Sequence, residues 1–260
     1  VGGGEFAALG RVVETVVGAG VGVLVGAVVA PPLYVRPATD AVQDLARATA
    51  KALRRGATEV REEYTAEQTE QWLDASRAVG REVLRADREL GRAEASMRLN
   101  PRARKRPHAA ASLRTGLEAL ERSTISLRGL CRSLADLSRA AGPETVYGED
   151  VRTALSDLLR HLADAVETYG VVISSEVIHA RPEDARLREA LNRAWEVRHR
   201  LADQLRREER LRQDQWLMHG ALASHIDRLL RDVDSDARAE LRRSWPAPLG
   251  EAPGRPARFR

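Results

Sequence analysis

Residues 113–141 read LRTGLEALERSTISLRGLCRSLADLSRAA. Within them Leu113, Leu117, Leu120, Thr124, Leu127, Cys131 and Leu134 recur at alternating spacings of four and three. Side chains so spaced fall on one stripe of an α-helix, because 3.6 residues complete a turn, and a stripe this regular is the seam of a coiled coil or helix bundle. Leu130 and Leu137 widen the stripe, so the helix faces more than one neighbour.

The same pattern extends on both sides. Val151, Leu155, Leu158, Leu162, Val166, Tyr169 and Ile173 repeat it, followed by Leu187, Leu191, Ala194, Leu201 and Leu205, then Trp216, Ile226, Leu230 and Val233. Proline and glycine punctuate the chain at Pro37, Asn100-Pro101, Pro107, Gly142-Pro143, Gly148 and Pro182. These breaks predict five long helices, over Ala38–Tyr64, Ala66–Leu99, Pro107–Ala141, Glu149–Ala180 and Glu183–Val233, the last with a break near Gly220. No β-rich segment competes with them. The expected fold is all-α: one N-terminal transmembrane helix followed by an antiparallel bundle of long helices.

The membrane helix is read from residues 12–35, VVETVVGAGVGVLVGAVVAPPLYV, in which no polar side chain interrupts residues 16–30. As a helix the whole stretch is roughly 36 Å long and its fully apolar part roughly 22 Å, against a hydrocarbon core of about 30 Å. Gly18, Gly22 and Gly26 share one face and let another helix approach closely in lipid. Glu14 is the one acid near the span, and ionisable residues there are often functional, although one near a helix start also reaches headgroups. A cleaved leader and a buried core helix are the alternatives. Pro31 and Pro32 weigh against the first, the glycine content against the second. The chain begins with Val1, which fits a protein whose upstream part is missing.

Composition supports this division. The chain of 260 residues is 31% charged, too much for a polytopic membrane protein, and 43% hydrophobic, too much for a disordered one. Three segments follow: a lead-in and span over 1–35, a helical bundle over 36–235, and a Pro/Arg-rich disordered tail over 236–260. Arg36, Arg47, Lys51, Arg54 and Arg55 behind the span favour a cytoplasmic bundle. The net charge of +4 is small beside 42 basic and 38 acidic residues interleaved along helices, the pattern of solvated faces and not of a nucleic-acid binder. Arg102, Arg104, Lys105 and Arg106 form one compact basic loop: a solvated turn, a contact for anionic headgroups or, least favoured because no aromatic interleaves it, a contact for nucleic acid. Cys131 is the lone cysteine, so no intrachain disulfide forms.

Nothing here reads as catalytic. His108, His161, His179, His199, His219 and His225 form no His-Glu-x-x-His arrangement, and one cysteine supplies no zinc set. Glu62-Glu63 and Glu208-Glu209 sit in highly charged stretches and are expected to face solvent. Trp72, Trp195 and Trp216 are expected to pack into the bundle. The expectation is a protein that is not an enzyme and uses no cofactor or metal.

Four motifs come in order: residues 11–18 (RVVETVVG), 30–38 (APPLYVRPA), 93–102 (AEASMRLNPR) and 216–229 (WLMHGALASHIDRL). Together they resemble the C-terminal part of actinobacterial FUSC-type membrane proteins, the aromatic acid exporter family, over residues 9–235. The resemblance implies an inner-membrane protein with a helical domain at residues 36–260 in the cytoplasm, exporting small organic acids on an ion gradient. It implies as partners the lipid bilayer, the other transmembrane helices of the same transporter and further copies in a homo-oligomer. Only one span is present, so no substrate-binding residue carries over. The alternative is a single-pass, membrane-anchored coiled-coil scaffold or signalling protein, dimerising through Gly18, Gly22 and Gly26.

Overall fold

A computed structural model describes residue 15 and residues 35–99, 109–142, 146–179, 184–208 and 216–234. Among them lie six helices and no strand: α1 (Val35–Arg61), α2 (Ala66–Leu99), α3 (Ala109–Ala141), α4 (Glu149–His179), α5 (Asp184–Arg207) and α6 (Trp216–Asp232). The all-α bundle is as the periodicity requires. The span and its Glu14, Gly18, Gly22 and Gly26, the basic loop and the tail lie outside the described residues. Among the described helices none is long and apolar enough to cross a membrane.

Local chemistry sets the helix ends. α1 begins before Pro37, which sits in the first turn where its missing N–H would have had no partner. α1 stops at Arg61, not at the expected Tyr64, because Thr65 caps α2. The Thr65 hydroxyl accepts the Gln68 N–H at 3.2 Å, and the Gln68 amide oxygen accepts the Thr65 N–H at 2.8 Å. Tyr64 is thereby drawn into the turn, buried, with its ring 5.3 Å from that of Trp72. α3 ends at Gly142, whose φ of 67° is the left-handed cap that glycine adopts without strain.

The fifth expected helix is two helices. The break does not fall at Gly220, which is exposed inside α6, but between Arg207 and Trp216. Residues 206–215 read RREERLRQDQ and offer Leu211 alone as an apolar group. Such a stretch offers no apolar face to a core. Beyond it, α6 lays Leu222, Ile226, Leu229 and Leu230 on the bundle.

The helix pairs joined by long-range ion pairs run antiparallel. Arg54 of α1 meets Asp164 and Glu167 of α4, while Arg61 meets Arg152. On α2, Glu70 pairs with Arg139 of α3 and Asp87 with Arg114. On α6, Asp232 pairs with Arg122 of α3 and Asp227 with Arg198 of α5. The neighbours form two layers, α2–α3–α6 over α1–α4–α5, with α3 central in one and α4 in the other. The buried side chains between the layers make one cluster that contains the predicted α3 seam, with Leu113, Leu117, Leu120, Leu127 and Leu134 at most 2% exposed. Thr124 fits into the seam by donating its hydroxyl proton to the Glu121 carbonyl at 2.7 Å.

Two of the crossings that run tight at a glycine involve α4. A Cβ at Gly170 of α4 would lie 2.5 Å from the Ala46 Cβ of α1, and one at Gly116 of α3 would lie 2.5 Å from the Ile173 Cδ1 of α4. The solvent faces carry short-range pairs such as Arg47–Asp44, Arg77–Asp74 and Arg92–Glu89, as the interleaved charges predict.

Candidate functional site

The antiparallel order gives the bundle two distinct ends. One gathers the starts of α1, α3 and α5 with the finishes of α2, α4 and α6. The other gathers the α1–α2 turn, the α3–α4 connection, the finish of α5 and the start of α6. The second end holds a cluster of buried tyrosine and histidine side chains.

Its centre is Tyr147, fully buried in the α3–α4 connection, whose hydroxyl lies 3.0 Å from Nδ1 of His219 on α6. The two rings are 5.6 Å apart and tilted. His219 is 5% exposed, and its Nε2 has no hydrogen-bond partner among the described residues. Tyr64 presents a second buried hydroxyl without a hydrogen-bond partner there. Burial raises the pKa of both phenols, with Tyr64 and Glu208 adding to the rise at Tyr147, and burial lowers that of the His219 imidazole. All three groups are therefore held in their neutral forms at neutral pH.

Charged groups surround this centre. Arg152 donates to the Tyr147 carbonyl at 3.1 Å and to the Arg61 carbonyl at 3.4 Å, with Glu63 3.9 Å away. Glu208, at the end of α5, accepts the Gly148 N–H at 2.8 Å. Glu62 and Glu63 face solvent as expected, but Glu208 is half-buried and ties α5 to the start of α4. Beside it an open groove of about 630 Å³ is lined by Glu149, Asp150, Gln204, Arg207 and Glu208. On the other side Trp72 donates its indole N–H to Glu59, which Arg55 also holds at 2.7 Å. Those two bonds lower the Glu59 pKa against the opposing effect of burial, the largest single influence on it.

A small apolar cavity of about 20 Å³ lies deeper, between Leu53, Gly56, Trp72, Leu127, Cys131 and Leu159. It has room for about one water but lacks the polar partners that would hold one. Burial pushes the Cys131 thiol up to about 12, so it is inert at neutral pH.

None of the residues that the sequence marks as a site, Gly18, Gly22, Gly26, Glu14, Arg102, Arg104, Lys105 and Arg106, is among the described ones. Among the described residues no group of histidine, cysteine and carboxylate side chains could hold a metal ion. Trp72 is in the core, Trp195 is half-buried, and Trp216 departs from expectation at 64% exposed. Trp216 is the first residue of α6, one turn ahead of the first buried one, His219, and with Leu217 it forms an exposed apolar pair. The Tyr147–His219 pair escapes sequence reading because its partners are 72 positions apart and Tyr147 belongs to no motif. No protein family matches this chain, and no curated protein or solved structure does.

Proposed function

We infer that this chain is the C-terminal part of a FUSC-type inner-membrane transporter resembling aromatic acid exporters. Its bundle hangs in the cytoplasm from the last membrane span and supports assembly or gating. One observation carries the reading. α1 starts at Val35, where the apolar stretch runs out, at the same end of the bundle as the finish of α2 and the start of α3. The nine residues between those two helices, 100–108, carry Arg102, Arg104, Lys105 and Arg106 and no acid. An anionic bilayer surface at that end would meet the exit of the span and this cationic connection together. The opposite turn, residues 62–65, carries Glu62 and Glu63 and no base. In the membrane Gly18, Gly22 and Gly26 pack against neighbouring spans, and Glu14 sits at headgroup level.

The test is the reading frame ahead of Val1. Further apolar spans in frame, with loss of organic-acid efflux when the bundle is deleted, are the expected result. An in-frame stop directly before Val1 would overturn the transporter reading and leave the single-pass scaffold. In that case Gly22→Ile should dissociate a dimer.

A further inference from the structure

Among the described residues α6 is held by two imidazoles as well as by its apolar stripe. His219 reaches Tyr147 through Nδ1 and buries an unpaired Nε2. His225, less than two turns on, lies against α3 so closely that a Cβ at Gly129 would come 2.2 Å from its ring. Its Nδ1 is likewise buried without a hydrogen-bond partner among the described residues. A protonated imidazole has two N–H donors and a charge, and among the described residues neither buried nitrogen has an acceptor to offer it.

The surroundings do not rescue the charged ring. On α6, Arg228 opposes protonation of His225, and Asp227 is taken up by both guanidinium arms of Arg198 on α5. From the two turns come Tyr147 and Tyr64, both neutral; from α5 comes Glu208, bound to the Gly148 N–H. The antiparallel register sets Arg128, Arg132 and Asp136 of α3 at the level of the two rings. Both arginines are exposed, and Asp136 pairs with Arg139. On α5 Glu196, His199 and Arg200 at that level are exposed.

We propose that α6 is an acid-released arm: protonation of His219 and His225 detaches it from α3 and from Tyr147 while α1, α2 and α4 stay folded. Release would bare the stripe of Leu222, Ile226, Leu229 and Leu230 that now lies buried. Burial lowers both imidazole pKa values, so their contribution to docking is complete above the ordinary value of 6.5 and is lost as the pH falls below it. At about pH 5 each ring that stays neutral while docked shifts the equilibrium toward release by about 30-fold, and the two together by up to about 1,000-fold. Asp232 acts in the opposite sense. Burial raises its pKa against Arg122, Ser126 and Arg231, so protonating it favours docking.

The test is hydrogen exchange, corrected for intrinsic rate, on the full chain in detergent micelles at about pH 7.5 and about pH 5. Peptides from α6 should lose protection at least tenfold at the lower pH while those from α1 and α4 keep theirs, a loss on the scale the histidine linkage allows. A His219→Gln, His225→Gln protein should hold α6 equally at both pH values. Unchanged wild-type α6 protection, loss shared with α1 and α4, or equal loss in the double variant would each overturn the proposal. Should the double variant leave α6 unprotected throughout, the wild-type histidine ring titration decides. Both rings titrating below the ordinary imidazole value, in step with the loss of protection, supports release; titration at or above it refutes it.

Discussion

Gly56 and Gly170 face the same helix pair, α1 against α4, and the structure assigns opposite signs to an added methyl group. A Cβ at buried Gly56 would meet the Leu159 Cδ1 at 3.8 Å, an ordinary contact, beside the small apolar cavity. Replacing a helix-interior glycine by alanine gains about 1 kcal/mol of helix propensity. Burying one more methyl group gains about 0.8 kcal/mol. Gly56→Ala should therefore stabilise the bundle by about 1–2 kcal/mol, which for a domain of this size raises Tm by roughly 3–6 °C. At Gly170 the same methyl would sit 2.5 Å from the Ala46 Cβ, which is fixed to the α1 backbone and has no rotamer by which to withdraw. Carbon atoms rest at about 3.5–4.0 Å, so the helices must part by about 1 Å. Overpacking of this kind costs about 1–3 kcal/mol and outweighs the propensity gain. Gly170→Ala should therefore lower Tm, and Ala46→Gly in the same chain should relieve the clash, a coupling of at least about 1 kcal/mol in a double-mutant cycle. Thermal and urea unfolding of the wild type, the three single variants and the Gly170→Ala, Ala46→Gly pair, followed by far-ultraviolet circular dichroism, read these differences. A Gly170→Ala protein as stable as Gly56→Ala would refute the close α1–α4 crossing.

Two further predictions rest on single side chains. Arg198→Ala leaves Asp227 about three-quarters buried without its two charge-assisted bonds, and should cost on the order of 1–2 kcal/mol, seen as faster hydrogen exchange in α6 and little change in α1. Cys131, with its thiol raised to about 12 by burial, should resist a disulfide reagent in the native protein at neutral pH and react fully in denaturant; rapid native labelling would contradict its place in the core.

The bundle is legible in the sequence where one side-chain period serves one neighbour. The α3 seam is such a case: residues at spacings of four and three are the ones that the structure buries. The Thr65–Gln68 capping box is equally written in the chain and places the end of α1 before Tyr64. Gly220 lies inside α6 because a lone glycine costs a helix little when its face is open. Trp216 misled because hydrophobicity predicts burial only where a partner surface extends, and it stands at the first residue of its helix. The Tyr147–His219 pair and the Gly129–His225 contact arise from how α6 folds back, a long-range choice that local spacing does not encode.

The account turns on which end of the bundle faces the bilayer. α2 spans the bundle lengthwise, and its 34 residues set the two ends roughly 50 Å apart. The decisive measurement is fluorescence quenching by spin-labelled lipid headgroups, in vesicles holding the full chain, with a probe at residue 98 near the finish of α2 or at residue 62 in the α1–α2 turn. Quenching at 98 and none at 62 is the predicted result. Quenching at 62 alone, at both positions or at neither would contradict a bundle carried end-on from the span that precedes α1.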